Sequence, residues 1–249
     1  TTAPAKDETT ASAEGESKAE GGSEAGGDAL KIAIVSSPSG VDDGSFNQDN
    51  YNGVLAFIEE NPSATVTPVR EETGDTAAAL QAVADIVADY DVIVCCGYQF
   101  AGIGTLAEDN PDVDFILVDS NPSDAEGNEV SCDNIYAMTF KEQEGGFFAG
   151  MAAALESQSK KVAVVNGIAS PSNVNYQFGF ESGVNYANEK CEAGAEVVEL
   201  PSYAGTDVTG ANVGGNYVGS FADEATGKVV GKALIDEGVD TIFVAAGGS

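Results

Sequence analysis

The chain has no histidine and no tryptophan, and only 10 basic residues against 41 acidic ones. Without imidazole it lacks the usual general base at neutral pH, the central member of a nucleophile triad and the commonest zinc ligand. A formal net charge of −31 repels phosphate backbones and anionic headgroups, which argues against nucleic-acid binding and against docking on a lipid surface. The four cysteines, Cys95, Cys96, Cys132 and Cys191, form no C-x-x-C pair. Cys95 and Cys96 end an apolar run and read as strand residues, while a Cys132–Cys191 bridge stays open for an oxidising compartment. No run of roughly 18 apolar residues occurs, so no membrane-spanning helix is expected. Walker A, G-x-S-x-G and H-E-x-x-H are all missing. Neither an initiator methionine nor a signal peptide is seen, as expected of a processed or trimmed chain.

A hydrophobic content of 43% with 20% charged residues is that of a globular protein. Residues 1–29 stand apart, being mostly Ala, Gly, Ser, Thr and Glu with no aromatic and no large aliphatic side chain. Such a segment buries too little to offset its ordering entropy and reads as a disordered acidic linker. From Leu30 onward, apolar strand-like runs at 31–36, 65–69, 92–96, 115–119, 161–166, 196–200 and 241–245 alternate with amphipathic stretches. The latter fall at 47–60, 76–89, 101–109, 142–156, 173–190 and 224–237. This alternation predicts an α/β fold with parallel sheets covered by helices on both faces. A further strand at 134–140 breaks the rhythm, and 161–166 opens a fresh βα series. The expected division is therefore an N-terminal Rossmann-like lobe at 30–140 and a C-terminal lobe at 141–249. With only three strands, the second lobe reads as truncated at its C-terminus.

In open α/β sheets ligands sit beyond the carboxyl ends of the strands, so those loops hold the candidate site. The first runs from Ser36 to Asn47, where Ser45 and Gln48 match a capping box that starts a helix at Phe46. Phe46 there fits a base-stacking ring or a core aromatic, and Asn47 a base-reading carboxamide or a plain first-turn residue. Asp119 ends the fourth run, where its carboxylate suits two adjacent ribose hydroxyls or a helix cap. Phe221 lies ahead of a helix that Asp223 can cap, and it fits either a second stacking ring opposite Phe46 or a ring packed under the loop. The glycines Gly97, Gly102 and Gly104 form only part of a dinucleotide fingerprint and follow the third strand rather than the first, so no cofactor is expected.

Asp43-Gly44-Ser45-Phe46-Asn47-Gln48 resembles the D-x-S-F-N-Q signature of the basic membrane protein family, substrate-binding lipoproteins of the purine nucleoside receptor type. Four further stretches match in order: residues 115–120, 140–155, 178–188 and 219–249. The resemblance implies a type I periplasmic-binding fold whose two lobes close on a purine nucleoside destined for an ABC permease, with no catalysis and no cofactor. It also implies an extracytoplasmic, monomeric receptor held by a lipid on an N-terminal cysteine that is not in this sequence. By motif, Phe46 and Phe221 correspond to the stacking aromatics, Asp43 and Asn47 to polar base or loop contacts, and Asp119 to a ribose-binding carboxylate. Family members run on for roughly a hundred residues beyond the terminal A-A-G-G-S, since a doubly wound second lobe needs more strands. A Gly- and Asn-rich link between Leu200 and Phe221 replaces a shorter one at the cleft rim. A surface sensor on the same fold, and a receptor for another planar ligand such as riboflavin, remain the alternatives. A nucleoside hydrolase is disfavoured by the missing Asp cluster, and a DNA-binding regulator by the acidic linker that stands where a helix-turn-helix would be.

Overall fold

The computed structural model describes residues 29–249; the expected linker falls almost wholly outside the described residues. Two parallel sheets organise the chain. The first contains β1 (Lys31–Ser36), β2 (Thr65–Arg70), β3 (Val92–Cys96), β4 (Asp114–Val118) and β5 (Ile135–Met138), in the order β2-β1-β3-β4-β5. Its central strands are continuous apolar runs because both faces are covered. Helix α1 (Phe46–Glu60) packs over the Ile32, Ile34, Val94 and Cys96 face. The other face, with Ala33, Val35, Ile93, Phe115 and Leu117, is covered by α2 (Thr76–Ala84) and α3 (Gly104–Asp109).

The chain then leaves this sheet through α4 (Glu142–Glu156), which packs along α5 (Pro171–Cys191) over the second sheet. That sheet holds β6 (Lys161–Asn166), β7 (Glu196–Val197) and, after α6 (Glu224–Asp236), β10 (Thr241–Ala245), in the order β10-β6-β7. Between β7 and α6 an antiparallel ribbon forms from β8 (Gly205–Thr206) and β9 (Asn212–Gly214). In each sheet the first strand lies between the second and third, so both have a topological switch point beside their first strand, β1 or β6.

The α4–α5 contact depends on glycine. A Cβ on Gly146 would meet the Tyr176 carbonyl, on Gly150 that of Phe180, on Gly179 that of Gln143, and on Gly183 that of Phe147. These reciprocal pairs, four residues apart on each helix, let the two backbones approach more closely than side chains would allow.

Several elements differ from the sequence expectation. The helix expected over 76–89 is α-helical only to Ala84, and a separate 3-10 turn spans Val87–Asp89 with Val87 buried. The stretch expected at 101–109 begins earlier, as a 3-10 turn over Tyr98–Ile103. Helix α5 begins at Pro171, because proline is suited to a first helical position whose amide has no intrahelical partner. The strand expected at 196–200 pairs only through Val197; beyond it Asn216, fully buried, accepts from the Leu200 amide at 2.7 Å and donates to the Val198 carbonyl at 3.0 Å. The Gly- and Asn-rich link forms the β8–β9 ribbon, a strand pair not expected from sequence.

All four cysteines are free thiols. Burial pushes Cys95 well above the ordinary thiol range and Cys96 up to about 12, and Cys132 is raised by burial and by Glu108 and Asp133. Iodoacetamide treatment of the native protein should therefore label exposed Cys191 first and leave Cys95 and Cys96 unmodified until the protein is denatured. Peptide mass spectrometry over a labelling time course checks this; early modification of Cys95 would contradict the buried strand.

Candidate functional site

The loop leaving β1 is built around Asp43. Its Oδ1 accepts from the Ser45 amide at 2.9 Å and the Gln48 amide at 3.0 Å, and its Oδ2 from the Asn47 amide at 3.2 Å. The carboxylate thus caps α1, and the expected Ser45–Gln48 capping box does not form. Ser45 makes no side-chain cap, and Gln48 Oε1 instead accepts from the Gly44 amide at 2.8 Å. A charged acceptor reaching three amides outcompetes a neutral hydroxyl at the positive end of a helix.

Asp43 also fixes Asn47, which is 2% exposed. Asn47 Nδ2 donates to Asp43 Oδ2 at 2.9 Å and to Ser37 Oγ at 2.9 Å. Because an ionised carboxylate only accepts, the amide cannot be reversed, and Asn47 Oδ1 is left buried without a partner. Phe46 precedes it, 38% exposed, at the first position of the helix.

Asp119 follows β4 and has φ 68°, a left-handed backbone conformation rarely taken by non-glycine residues. Its half-buried carboxyl faces the Ser172 hydroxyl, from the first turn of α5, and the Glu142 carboxyl, which opens α4. Burial, opposed by Ser172 and reinforced by Glu142, pushes Asp119 up to about 6. In the second unit, the Phe221 ring packs against Gly167, just after β6, and a Cβ there would collide with it. The Phe221 carbonyl accepts from the Gly248 amide at 3.0 Å, just after β10, and from Ser39 Oγ of the β1 loop at 3.5 Å. Asp223 caps α6 as expected, accepting from the Thr226 amide at 3.0 Å.

The carboxyl ends of the two sheets therefore face each other. Asp43 and Asn47 are brought together, Asp119 reaches the second unit, and Phe221 touches the β1 loop. Among the described residues Phe46 and Phe221 do not stack on each other or on another ring. Sequence reasoning missed the loop after β6. There Asn173 Nδ2 donates to the Ala245 carbonyl at 2.6 Å and contacts Asn166 Oδ1 at 3.3 Å, leaving Asn166 Nδ2 buried and unpaired. The rule that singled out the loop after β1 applies equally here, and the Pro171-Ser172-Asn173 helix start was its visible signal.

Paired α/β units joined across the carboxyl ends of their sheets define the type I periplasmic-binding fold. An ABC transporter solute-binding protein from Aeropyrum pernix superposes with a TM-score of 0.71 at 23% identity, covering 88% of this chain and 55% of that one. Residues 30–203 match the family of PnrA-like ABC transporter substrate-binding proteins, and the chain belongs to that family. It is 29% identical over 228 residues to the ABC transporter nucleoside-binding protein BmpA of Lactococcus lactis, and 28% over 224 residues to basic membrane protein A of Borreliella burgdorferi. These alignments cover 88% and 89% of this chain but only 56% and 58% of the relatives, so the chain spans a little over half their length.

Proposed function

We propose that the protein is the extracytoplasmic solute receptor of an ABC importer, that it binds a purine nucleoside between the two units, and that it delivers the ligand to a membrane permease. The units correspond to an N-terminal lobe at 30–140 and a C-terminal lobe at 141–249. A lipid anchor ahead of the acidic leader would hold the receptor at the outer face of the cell membrane. The reading is supported by membership of this family, by the Ser39–Phe221 contact that joins the β1 loop to the second unit, and by the buried, unpaired Oδ1 of Asn47 on that same loop.

Each group has a distinct task. Phe46 and Phe221 stack on the two faces of the base, which favours a flat heterocycle. The unpaired Asn47 Oδ1 accepts from a base N–H, and a base presenting only an acceptor there leaves the oxygen unsatisfied. Asp119 accepts from the ribose hydroxyls as a carboxylate. Asp43 acts through Asn47, since its own oxygens are engaged by the loop. A ligand bridging both lobes favours the closed arrangement, whose surface the permease would recognise.

Titration calorimetry against guanosine, inosine, adenosine, uridine, riboflavin and ribose tests the assignment. Tight binding of a purine nucleoside with ribose silent supports it. Preference for riboflavin would move the ligand class, and silence across the panel would remove it. Phe46→Ala should weaken nucleoside binding about fivefold, the equivalent of roughly 1 kcal/mol of lost stacking. Unchanged affinity in that variant would take Phe46 out of the site.

A further inference from the structure

The end of β6 presents a hydrogen-bond donor that no described group takes up. Asn166, the last residue of that strand, is fully buried, and its Nδ2 has no partner among the described residues. The carboxamide cannot be turned round. Its Oδ1 accepts from Asn173 Nδ2 at 3.3 Å, and Asn173 is itself fixed, donating to the Ala245 carbonyl at 2.6 Å and accepting from Ser170 Oγ at 3.1 Å. Reversing Asn166 would set two donors against each other. The backbone is held as firmly. The Asn166 amide donates to the Asn216 carbonyl at 2.9 Å, and the Val218 and Gly219 amides donate to the Asn166 and Gly167 carbonyls at 2.9 Å and 2.8 Å. A buried donor left unpaired costs the folded state, and folded chains rarely keep one without a use.

This strand end adjoins the place where the two units touch. The Phe221 ring packs against Gly167, the next residue, and the Phe221 carbonyl accepts from Ser39 Oγ of the β1 loop at 3.5 Å. Across that contact, the same loop holds Asn47 through Ser37 Oγ at 2.9 Å, with Asn47 Oδ1 buried and unpaired. Each unit therefore brings one fixed carboxamide to the junction, and the two have opposite polarity: an acceptor from the first unit and a donor from the second. The start of α5 adds to the donor side, since Ser170 turns its hydroxyl to Asn173 and makes no side-chain cap. A net charge of −31 opposes an anion here, which leaves a neutral acceptor as the matching group. We infer that Asn166 is a specificity-determining residue of the crevice, its Nδ2 donating to a ring nitrogen or carbonyl oxygen on the edge of the bound base. The base is the relevant part of the ligand because Phe221, the ring assigned to stack on it, is the neighbour of this strand end. The ligand reaches Asn166 when the Ser39–Phe221 contact parts. It must then show an N–H to Asn47 and an acceptor to Asn166, and a heterocycle lacking either leaves a buried amide unsatisfied.

The role of Asn166 rests on the nucleoside reading of the crevice, and titration calorimetry separates the two. Guanosine is the probe, with 7-deazaguanosine, 3-deazaguanosine and 6-thioguanosine each deleting or weakening one acceptor of the base. Asn166→Ala should weaken guanosine binding about tenfold, and one of the three analogues should bind the wild type about tenfold less tightly than guanosine does. Asn166→Ala should bind that analogue and guanosine equally, because the variant and the analogue each remove one side of the same hydrogen bond. Asn166→Leu, closer to asparagine in volume, repeats the measurement without the cavity that alanine leaves. An amide with only a structural role would weaken guanosine and all three analogues by one common factor. That outcome, in variants that keep the wild-type circular dichroism, overturns the role of Asn166 while the nucleoside reading stands. Three analogues that all match guanosine on the wild type overturn it as well, as does loss of the folded state in both variants. Guanosine silent against the wild type overturns the nucleoside reading, and the role of Asn166 with it.

Discussion

Gly150→Ala is expected to lower stability by about 3 kcal/mol, at the upper end of what overpacking a close contact costs. The added methyl would run into the Phe180 carbonyl, and a backbone oxygen inside a helix cannot turn aside as the tip of a side chain can. Relief requires α4 and α5 to separate, which would loosen the contacts of Ala153, Ala154, Phe180 and Val184 over β6. For a chain of this size the thermal midpoint should fall by roughly 6–12 °C. Gly231→Ala in α6 is the matched control, because nothing lies within 4 Å of its added Cβ. There the change should be neutral or stabilising by about 0.5–1 kcal/mol, through the lower entropy of the unfolded chain. Thermal and urea unfolding of both variants checks the pair. Equal stability of the two would show that the helices are not in backbone contact at Gly150.

The second large effect is expected at Asp119, where binding and stability should move in opposite directions. Asparagine tolerates the left-handed backbone and is close in size, so Asp119→Asn isolates the charge. Nucleoside affinity should fall about tenfold to a hundredfold, corresponding to roughly 1–3 kcal/mol for a charge-assisted hydrogen bond. At neutral pH the same variant should melt higher than the wild type. The folded carboxyl is held near 6, above its ordinary value of 3.8, so ionising it costs the folded state more than the unfolded one. In the wild type this penalty is present above about pH 6, recedes as pH falls through the folded midpoint, and is gone below the ordinary value. The midpoint advantage of Asp119→Asn should accordingly shrink on acidification. A variant that binds as well as the wild type removes Asp119 from the site. One that melts lower at neutral pH shows instead that the carboxylate is needed to hold the two units together.

The central strands were legible because parallel strands covered on both faces must be apolar along their whole length. The runs at 31–36, 92–96, 161–166 and 241–245 coincide with β1, β3, β6 and β10, and 65–69 and 115–119 each fall within one residue of β2 and β4. Helix ends were harder to read. The pattern at 76–89 carries its periodicity past Ala84, although the backbone tightens there to bury Val87. At α1 the serine and glutamine had the spacing of a capping box, yet Asp43 holds the amides. Spacing along the chain does not reveal which of several acceptors the loop turns inward.

The candidate site divides along the same line. Loops after strands, a ring at a helix start and a carboxylate at a strand end are local features, and they led to Phe46, Asn47, Asp119 and Phe221, while Asp43 came from the family resemblance. By itself the sequence determined the α/β class, the order of its elements, the strand ends to examine and the family likeness, all of which follow from periodicity and short-range motifs. Only the tertiary structure decided that Asn47 keeps an unpaired oxygen and Asn166 an unpaired nitrogen, and that four glycines seat α4 on α5. Those contacts join residues brought near by folding rather than by sequence, and their burial is what gives the amides and the glycines their effect.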